Sequence, residues 1–213
     1  MNTKLNVAII DYDLGNILSL SRAIETLGYN PIITNSKTKI DNCGIVILPG
    51  VGSFEKGIQN MTKYNLKNII QKKILQGDKM LGICLGMQLF FEYSEESTPS
   101  IRGLNLINGN VLSLRKKIKD KKSKIPHIGW TSFDRIKKNK IFKNINKNDF
   151  MYYIHSFFTN PKDKNMILSN IKYFNVSIPS IIKFNNIYGF QFHPEKSGKK
   201  GLILLNNFLN EKD

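Results

Sequence analysis

A cysteine between two glycines is the first feature of the sequence that could do chemistry. Gly82-Ile83-Cys84-Leu85-Gly86 has the form G-x-C-x-G, the thiol counterpart of the G-x-S-x-G turn that presents a nucleophile between a strand and a helix. Glycine suits both flanking positions because a Cβ there would crowd the neighbouring strand or helix. The positive end of the following helix favours the thiolate, which is the attacking species. We therefore interpret Cys84 as a nucleophile; outside this context, a lone cysteine would be a small core residue.

A cysteine nucleophile needs a base, and the sequence contains three histidines, His127, His155 and His193. Glu195 follows His193 by two residues, and alternate residues of an extended segment face the same side. Pro194 between them is expected to keep this segment from forming a helix. The imidazole would then accept the thiol proton while the carboxylate fixes its tautomer, which gives a Cys-His-Glu triad. An isolated His-Pro-Glu would be a surface turn, so the triad depends on the pairing with G-x-C-x-G.

Acyl transfer also requires donors for the negative charge of the intermediate. The backbone N–H of Leu85, directly after the cysteine, supplies one donor. Residues 48–54 (LPGVGSF) place a second glycine-containing loop after an earlier strand, where its amides could face the same point. Pro49, Gly50 and Gly52 are also typical of an ordinary tight turn, so this loop taken alone has two interpretations.

The hydrophobic pattern predicts a fold that brings strand ends together. Apolar runs at residues 6–12, 31–35, 44–50 and 80–84 predict strands, and helical spacing appears at residues 17–27, 53–76 with a break near Tyr64, and 85–93. Strands that alternate with helices predict a mostly parallel sheet flanked by helices. From residue 109 onward, strand-like runs dominate until residues 201–209, which predicts added mixed or antiparallel strands in the C-terminal half. The fold class is α/β, and we expect one domain over residues 1–213.

Composition narrows the function classes. The chain has 213 residues, of which 41% are hydrophobic and 23% charged, as in ordinary globular proteins. No apolar run reaches the ~20 residues of a membrane span, and no signal-peptide pattern opens the chain, so we expect a cytoplasmic protein. Cys43 and Cys84 are too few for a disulfide framework and lack metal-ligand spacing. We interpret Cys43 as structural and expect neither a metal nor a cofactor.

The formal net charge of +16 raises the alternative of a basic nucleic-acid-binding protein. Nearly all basic residues are lysine, however, whereas bidentate recognition of phosphate and guanine favours arginine. Isoleucine and asparagine are enriched together with lysine, which indicates codon bias. The densest charged run, residues 115–124 (RKKIKDKKSK), has no accompanying nucleic-acid motif, and we interpret it as a solvated loop. We therefore expect no specific nucleic-acid partner and no membrane partner.

Three segments together resemble the class I glutamine amidotransferases, which hydrolyse the side-chain amide of glutamine: residues 48–54 (LPGVGSF), 82–90 (GICLGMQLF) and 190–198 (FQFHPEKSG). Residues 11–24 (DYDLGNILSLSRAI), 125–130 (IPHIGW) and 152–157 (YYIHSF) are similar, in the same order, to the glutaminase subunits of imidazole glycerol phosphate synthase. The resemblance implies a thioester intermediate with Cys84 as nucleophile, His193 as base and Glu195 as its orienting partner. It also implies Val51 and Leu85 as oxyanion donors and four residues near the bound glutamine: Gly52, Gln88, Ser156 and Phe157.

The same resemblance implies a partner. Glutaminase subunits of this family bind L-glutamine and form a heterodimer with a (β/α)₈-barrel synthase subunit, to which they pass ammonia in histidine biosynthesis, and they have low activity alone. The positions expected to face the barrel are Asn16, Pro126, Ile128, Trp130, Tyr152 and Lys196. Trp130 is the only tryptophan, and an aromatic anchor is typical of interfaces. A tryptophan buried in the core is the open alternative.

One departure from the family pattern leaves the ammonia acceptor open. Thr131 stands where the histidine-pathway subunit commonly has asparagine. Residues 19–23 and 185–202 also resemble paralogues that supply ammonia for the amidation of surface sugars. Both interpretations share the active site. A binding protein with an inactive site is a third possibility, against which stands the presence of all three triad residues.

Overall fold

The protein, described by a computed structural model over residues 5–120 and 122–211, alternates strands and helices through its first half. Its elements in chain order are β1 Asn6–Ile10, α1 Ile17–Thr26, β2 Asn30–Thr34, α2 Lys37–Asp41, β3 Ile45–Leu48, α3 Phe54–Lys63, α4 Lys67–Leu75, β4 Lys79–Ile83, α5 Leu85–Leu89, β5 Tyr93–Ser94, β6 Gly109–Ser113, α6 Leu114–Lys117, β7 His127–Ser132, β8 Arg135–Ile136, β9 Phe150–His155, β10 Phe157–Pro161, β11 Ile167–Tyr173, β12 Val176–Phe184, β13 Ile187–Phe190 and α7 Gly198–Asn210. The second half consists mainly of strands, and α7 closes the described chain.

An eight-stranded sheet forms the centre of the fold, in the order β2-β1-β3-β4-β13-β12-β11-β8. The strands from β2 to β13 pair in parallel, and those from β13 to β8 pair antiparallel. Two smaller sheets, β10-β6-β5 and β7-β9, stand beside it. The predicted α/β class, with a mostly parallel sheet and added antiparallel strands in the C-terminal half, is confirmed.

The central sheet is covered on both faces, which explains why its strands are continuous apolar runs. Successive side chains of a strand point to opposite faces, and the core accordingly divides into two clusters. Ile9, Ile47 and Leu81 pack with α1 and α7 in one cluster. Their neighbours Ala8 and Val46 pack with α3, α4 and α5 in the other.

The observed elements differ from the sequence prediction in several places. Helix α5 ends at Leu89 rather than at residue 93, because segment 104–107 donates hydrogen bonds to the carbonyls of Leu89 and Phe90. Strand β11, whose polar residues interrupt its apolar pattern, and the short helix α2 were not predicted. Residues 115–124 were predicted to be a solvated loop, but they begin within helix α6, and Ile118 and Ser123 are buried. Lys121 lies outside the described residues.

Helix α7 is the longest described helix, with 13 residues. The Nζ of Lys79 donates hydrogen bonds to the carbonyls of Phe208, Leu209 and Glu211 at its C-terminal end, where the helix dipole favours a cation. Over residues 5–120 and 122–211, no helix combines the length and the apolar character required to cross a membrane.

The turn from β4 to α5 depends on two close backbone approaches. A Cβ built at Gly82 would lie 2.6 Å from the Met87 nitrogen, and one built at Gly86 would lie 1.8 Å from the Leu48 carbonyl oxygen. Cys84 between them has a φ of 53°, a conformation that costs energy for a residue other than glycine. The fold therefore places Cys84 at the end of β4, directly beside the end of β3.

We expect Gly86→Ala to lower the free energy of unfolding by about 1–3 kcal/mol, because a rotamer change cannot relieve a clash with backbone. The matched control is Gly44→Ala, where the nearest atom to an added Cβ would be Asp78 Oδ1 at 3.6 Å. Urea unfolding of both variants gives the comparison. Equal stability of the two variants would mean that the turn has room for a side chain.

Candidate active site

A cavity of about 250 Å³ opens beside the turn between β4 and α5. Its lining residues are Val51, Gly52, Cys84, Leu85, Gln88, Glu96, Pro126, Ile154, His155, Ser156 and Phe157. The structure thus brings together the predicted nucleophile, both predicted oxyanion donors and all four predicted glutamine contacts. The sequence had assigned Pro126 to the partner surface, and it had not indicated Glu96, Ile154 or His155 as cavity residues.

Cys84 is almost fully buried, with 6% of its surface exposed. Its backbone N–H donates to the Phe190 carbonyl at 2.7 Å, which joins the turn to β13. The thiol lies 3.6 Å from the Ile154 carbonyl oxygen, to which it donates, and 3.7 Å from Gln191 Nε2, which donates to the sulfur. The cavity side of the sulfur is therefore the approach left for a substrate.

His193 and Glu195 form a buried pair next to Cys84. His193 Nδ1 lies 3.0 Å from Glu195 Oε1, and both side chains are nearly inaccessible. The expectation that Pro194 keeps this segment from forming a helix is wrong, because Pro194–Lys196 is a 3₁₀ turn. Proline suits the first position of a helical turn, since its φ is preset and its missing N–H is not needed there. The pair therefore meets across one turn rather than along an extended segment.

The electrostatics of this pair favour an imidazolium. Burial alone would lower the pKa of His193, but the Cys84 side chain and the Glu195 carboxylate outweigh burial and raise this pKa well above its ordinary value. His193 Nε2 is buried and makes no complete hydrogen bond with any residue in the described ranges.

The loop at residues 49–52, between β3 and α3, packs directly on the start of α5. A Cβ at Gly50 would lie 2.8 Å from the Gly86 nitrogen and 2.5 Å from the Tyr12 hydroxyl. That buried hydroxyl donates to the Pro49 carbonyl at 2.6 Å, and burial raises the pKa of Tyr12 so that it stays a donor. The sequence did not indicate this role, because Tyr12 looked like the last residue of a strand.

Two glutamines connect the cavity wall to the sulfur. Gln88 Nε2 donates to the Phe157 carbonyl at 2.9 Å and to Gln191 Oε1 at 3.3 Å. Gln191 is fully buried, and its amide nitrogen is the group that donates to Cys84. Gln191 was missed by the sequence analysis, although a polar residue inside the apolar run FQF was a usable signal.

Glu96 supplies a carboxylate to the cavity. Its Oε2 accepts a hydrogen bond from the Phe54 backbone N–H at 2.7 Å. Burial raises the pKa of this carboxyl group, and the Phe54 hydrogen bond partly offsets the effect. In the part of the chain that the structure describes, no group of three or more His, Cys, Asp or Glu side chains is placed to hold a metal ion.

Three of the six residues predicted to face a partner, Ile128, Trp130 and Tyr152, lie on the β7-β9 sheet. Ile128 and Trp130 are 57% and 54% exposed, so the interpretation of Trp130 as a core residue is wrong. Tyr152 contacts the Trp130 ring edge-to-face, with centroids 5.8 Å apart. Phe150 and Ile154 extend the exposed apolar surface. We call Ile128, Trp130, Phe150 and Ile154 the apolar face.

The remaining partner positions lie on three other segments. Pro126 is exposed just before β7. Asn16 precedes α1 at its N-cap position and is half-buried, and Lys196 is exposed on the 3₁₀ turn that carries Glu195. The structure therefore groups Ile128, Trp130 and Tyr152 on one sheet and leaves Asn16 and Lys196 on separate elements.

The two remaining histidines are buried and uncharged. Burial lowers the pKa of His127 to about 4, and burial together with His127 lowers that of His155 to about 3. In the unfolded chain both pKa values are about 6.5. The unfolded state therefore binds more protons between pH 6.5 and 4, so these histidines reduce stability as the pH falls through this window.

We expect the free energy of unfolding to depend less steeply on pH in His127→Asn than in the wild type. Removal of one such histidine should reduce the slope between pH 6 and 5 by about 1.4 kcal/mol per pH unit, the value for one proton. Urea unfolding at pH 7, 6 and 5 measures both curves. Parallel curves would show that the histidine is not held neutral in the folded protein.

Comparison with known proteins agrees with this geometry. The sequence model of the family "Glutamine amidotransferase class-I" matches residues 8–211. The imidazole glycerol phosphate synthase subunit HisH of Methanocaldococcus jannaschii is 42% identical over 203 residues, which cover 95% of this chain and 98% of the relative. The corresponding HisH of Aquifex aeolicus is 38% identical over 205 residues, covering 96% of each chain.

Solved structures share the fold at lower sequence identity. A glutamine amidotransferase crystal structure superposes with a TM-score of 0.72 at 14% identity, covering 95% of this chain and 96% of its own. PurLQS from Thermotoga maritima gives a TM-score of 0.71 at 20% identity, with coverages of 97% and 98%. From its sequence match over nearly the whole length, the chain belongs to the class-I glutamine amidotransferase family.

Proposed function

We propose that this chain is the glutaminase subunit of an imidazole glycerol phosphate synthase. It hydrolyses glutamine to glutamate and ammonia and supplies the ammonia to a synthase subunit in histidine biosynthesis. The observation that carries the proposal is the position of Cys84 in a cavity beside the buried His193–Glu195 pair. The HisH relatives, which align with about 95% of the chain, support the pathway.

In the first half of the reaction, the Cys84 sulfur attacks the amide carbon of the glutamine side chain. His193 takes the thiol proton, and Glu195 stabilises the imidazolium. The backbone N–H groups of Val51 and Leu85 donate to the oxyanion of the tetrahedral intermediate. This intermediate collapses as the C–N bond breaks, and the amide nitrogen leaves as ammonia with the proton from His193.

In the second half, water hydrolyses the thioester on Cys84. His193, now neutral, removes a proton from the water, whose oxygen attacks the thioester carbon. Collapse of the second tetrahedral intermediate breaks the C–S bond and releases glutamate. The proton returns from His193 to the sulfur, so the net reaction consumes one glutamine and one water.

The cavity also accounts for recognition of a free amino acid. Its volume of about 250 Å³ suits a single amino acid rather than a protein side chain presented on its backbone. Glu96 lines the cavity and supplies it with a carboxylate, to which we assign pairing with the α-ammonium group of glutamine. Gly52, Gln88, Ser156 and Phe157 supply the remaining polar and apolar contacts.

The partner is a (β/α)₈-barrel synthase subunit that docks on the apolar face. The face is continuous with the cavity, because Ile154 belongs to both and its carbonyl accepts from the Cys84 thiol. Pro126 likewise lines the cavity and is exposed. A partner seated there covers the mouth of the cavity and receives ammonia without its passage through bulk water.

The alternative acceptor is an enzyme of surface-sugar amidation, which Thr131 and residues 19–23 and 185–202 had left open. The hydroxyl of Thr131 lies 2.9 Å from His127 Nε2. This contact lies within the protein, so Thr131 alone does not distinguish one acceptor from the other. The HisH relatives favour the histidine pathway.

The test of the glutaminase activity is Cys84→Ala, assayed with the partner present. We expect loss of glutamate formation, since no other nucleophile is placed at the turn. Cys43→Ala is the matched control; Cys43 is buried away from the cavity and donates to the Lys39 carbonyl, and its replacement should leave the rate nearly unchanged. Substantial ammonia release by Cys84→Ala would refute the assignment of the nucleophile.

A second test addresses control by the partner. We expect the isolated chain to hydrolyse glutamine slowly, and the complex to be at least tenfold faster when the synthase site is occupied, a difference of about 1.4 kcal/mol in the barrier. Trp130→Ala should reduce this activation without changing the rate at which iodoacetamide alkylates Cys84.

The control for Trp130→Ala is Leu75→Ala. Leu75 is also a large exposed apolar residue, 87% exposed at the end of α4 and outside the apolar face. Its replacement should leave activation intact. Full activity of the purified chain without a partner would contradict control by docking and leave a free-standing amidohydrolase.

A further inference from the structure

His127 and His155, the two histidines outside the triad, form a hydrogen-bonded pair. His127 Nδ1 lies 3.1 Å from His155 Nε2. The outer nitrogens are also occupied, since His127 Nε2 is 2.9 Å from Thr131 Oγ1 and His155 Nδ1 is 2.9 Å from the Phe157 carbonyl oxygen. All four ring nitrogens are therefore engaged, and His155 has no free nitrogen for proton exchange with a substrate.

The direction of each hydrogen bond in the row Thr131–His127–His155–Phe157 follows from the Phe157 carbonyl at its end. The Phe157 carbonyl can only accept, so His155 Nδ1 carries a proton. A neutral imidazole carries one proton, so His155 Nε2 accepts from His127 Nδ1, and His127 Nε2 accepts from the Thr131 hydroxyl. Burial keeps both rings neutral. If either ring had the other tautomer, His127 Nδ1 and His155 Nε2 would face each other with two lone pairs or with two protons.

The series of hydrogen bonds continues from the cavity wall to the Cys84 sulfur. The Phe157 carbonyl accepts a second hydrogen bond, from Gln88 Nε2. The same amide donates to Gln191, whose own amide donates to Cys84 Sγ. Hydrogen bonds thus run from Thr131 on β7, beside the apolar face, to the proposed nucleophile.

A purely structural role does not require this arrangement. Two neutral imidazoles and a hydroxyl are costly to bury unless every hydrogen bond is made. An apolar pair of similar size at these two opposed positions of β7 and β9 would fill the same space without that requirement. The ring of His127 stacks at 4.1 Å on Tyr173 and at 5.4 Å on Tyr153, so only its edge is available for hydrogen bonds.

We infer that Thr131, His127 and His155 form a positioning chain that holds the Phe157 carbonyl, and with it the cavity wall at Ser156 and Phe157, in the geometry that binds glutamine. The inference deepens the proposed glutaminase function and rests on it. Because the wall contacts substrate and transition state alike, loss of the chain raises KM with little change in kcat.

The kinetic test compares Thr131→Val with Thr131→Ser in the complex with the synthase subunit. Valine keeps the shape but removes the hydroxyl, which leaves His127 Nε2 without its donor. We expect KM for glutamine to rise about tenfold in Thr131→Val, as for an unsatisfied buried group, with kcat changed less than about threefold. Thr131→Ser restores the donor and should restore KM.

A second pair of variants tests the cavity end of the chain. His155→Leu removes the donor to the Phe157 carbonyl and should raise KM at least as much as Thr131→Val does. His155→Asn places an amide donor near the position of Nδ1 and should recover part of the loss. Iodoacetamide alkylation of Cys84 should be unchanged in Thr131→Val and Thr131→Ser, because Thr131 lies outside the cavity lining and the base is His193.

A measurement that needs no glutaminase activity is the tautomer of each histidine, from ¹⁵N NMR of the labelled chain. We expect the Nδ1–H form at His127 and His155, and a changed His127 signal in Thr131→Val. Folded Thr131→Val with wild-type KM, or an Nε2–H tautomer at His155, overturns the inference. Absence of glutaminase activity in the wild-type complex would instead contradict the proposed function. In that case the tautomers would still show whether Thr131, His127 and His155 are hydrogen-bonded in the proposed order.

Discussion

The approach of the Gly86 Cα to the Leu48 carbonyl is the contact on which the site depends. It allows α5 to start directly against the end of β3, so that the loop at residues 49–52 and the Cys84 turn meet at one point. Parallel pairing of β3 with β4 fixes the two strand ends at the same edge. With a larger residue at Gly86, the helix would have to move away, and Val51 and Leu85 would no longer line one cavity.

All three histidines are buried, so burial does not explain why their proposed functions differ. The neighbouring groups of each ring explain the difference. His193 faces a carboxylate and a thiol, which favour its charged form. His127 and His155 face each other, a hydroxyl and a carbonyl, and remain neutral. The same ring thus serves as the proposed base in one place and as a fixed donor and acceptor in the other.

Local sterics made the turn around Cys84 predictable, because glycine spacing and the change from strand to helix both lie within a few residues. The same applies to the parallel half of the sheet, whose apolar runs are uninterrupted.

Contacts between distant segments were not predictable: Tyr12 with Pro49, Gln191 with Gln88, and the histidine pair all join separate elements. The extended geometry assumed for His193 and Glu195 failed because proline also starts a helical turn. The end of α5 was not predicted because the N–H groups that bind its last carbonyls belong to a segment more than ten residues further along the sequence.

The exposed apolar face has a consequence for the subunit before it meets a partner. Ile128, Trp130, Phe150 and Ile154 are large, close together and on a two-stranded sheet, so two copies of the chain could associate through them. The formal net charge of +16 opposes such an encounter, because like charges repel before the faces touch. Salt weakens that repulsion over a Debye length of about 8 Å at physiological ionic strength. Whatever the origin of the lysine excess, encounters between free copies should therefore become more frequent as the ionic strength rises.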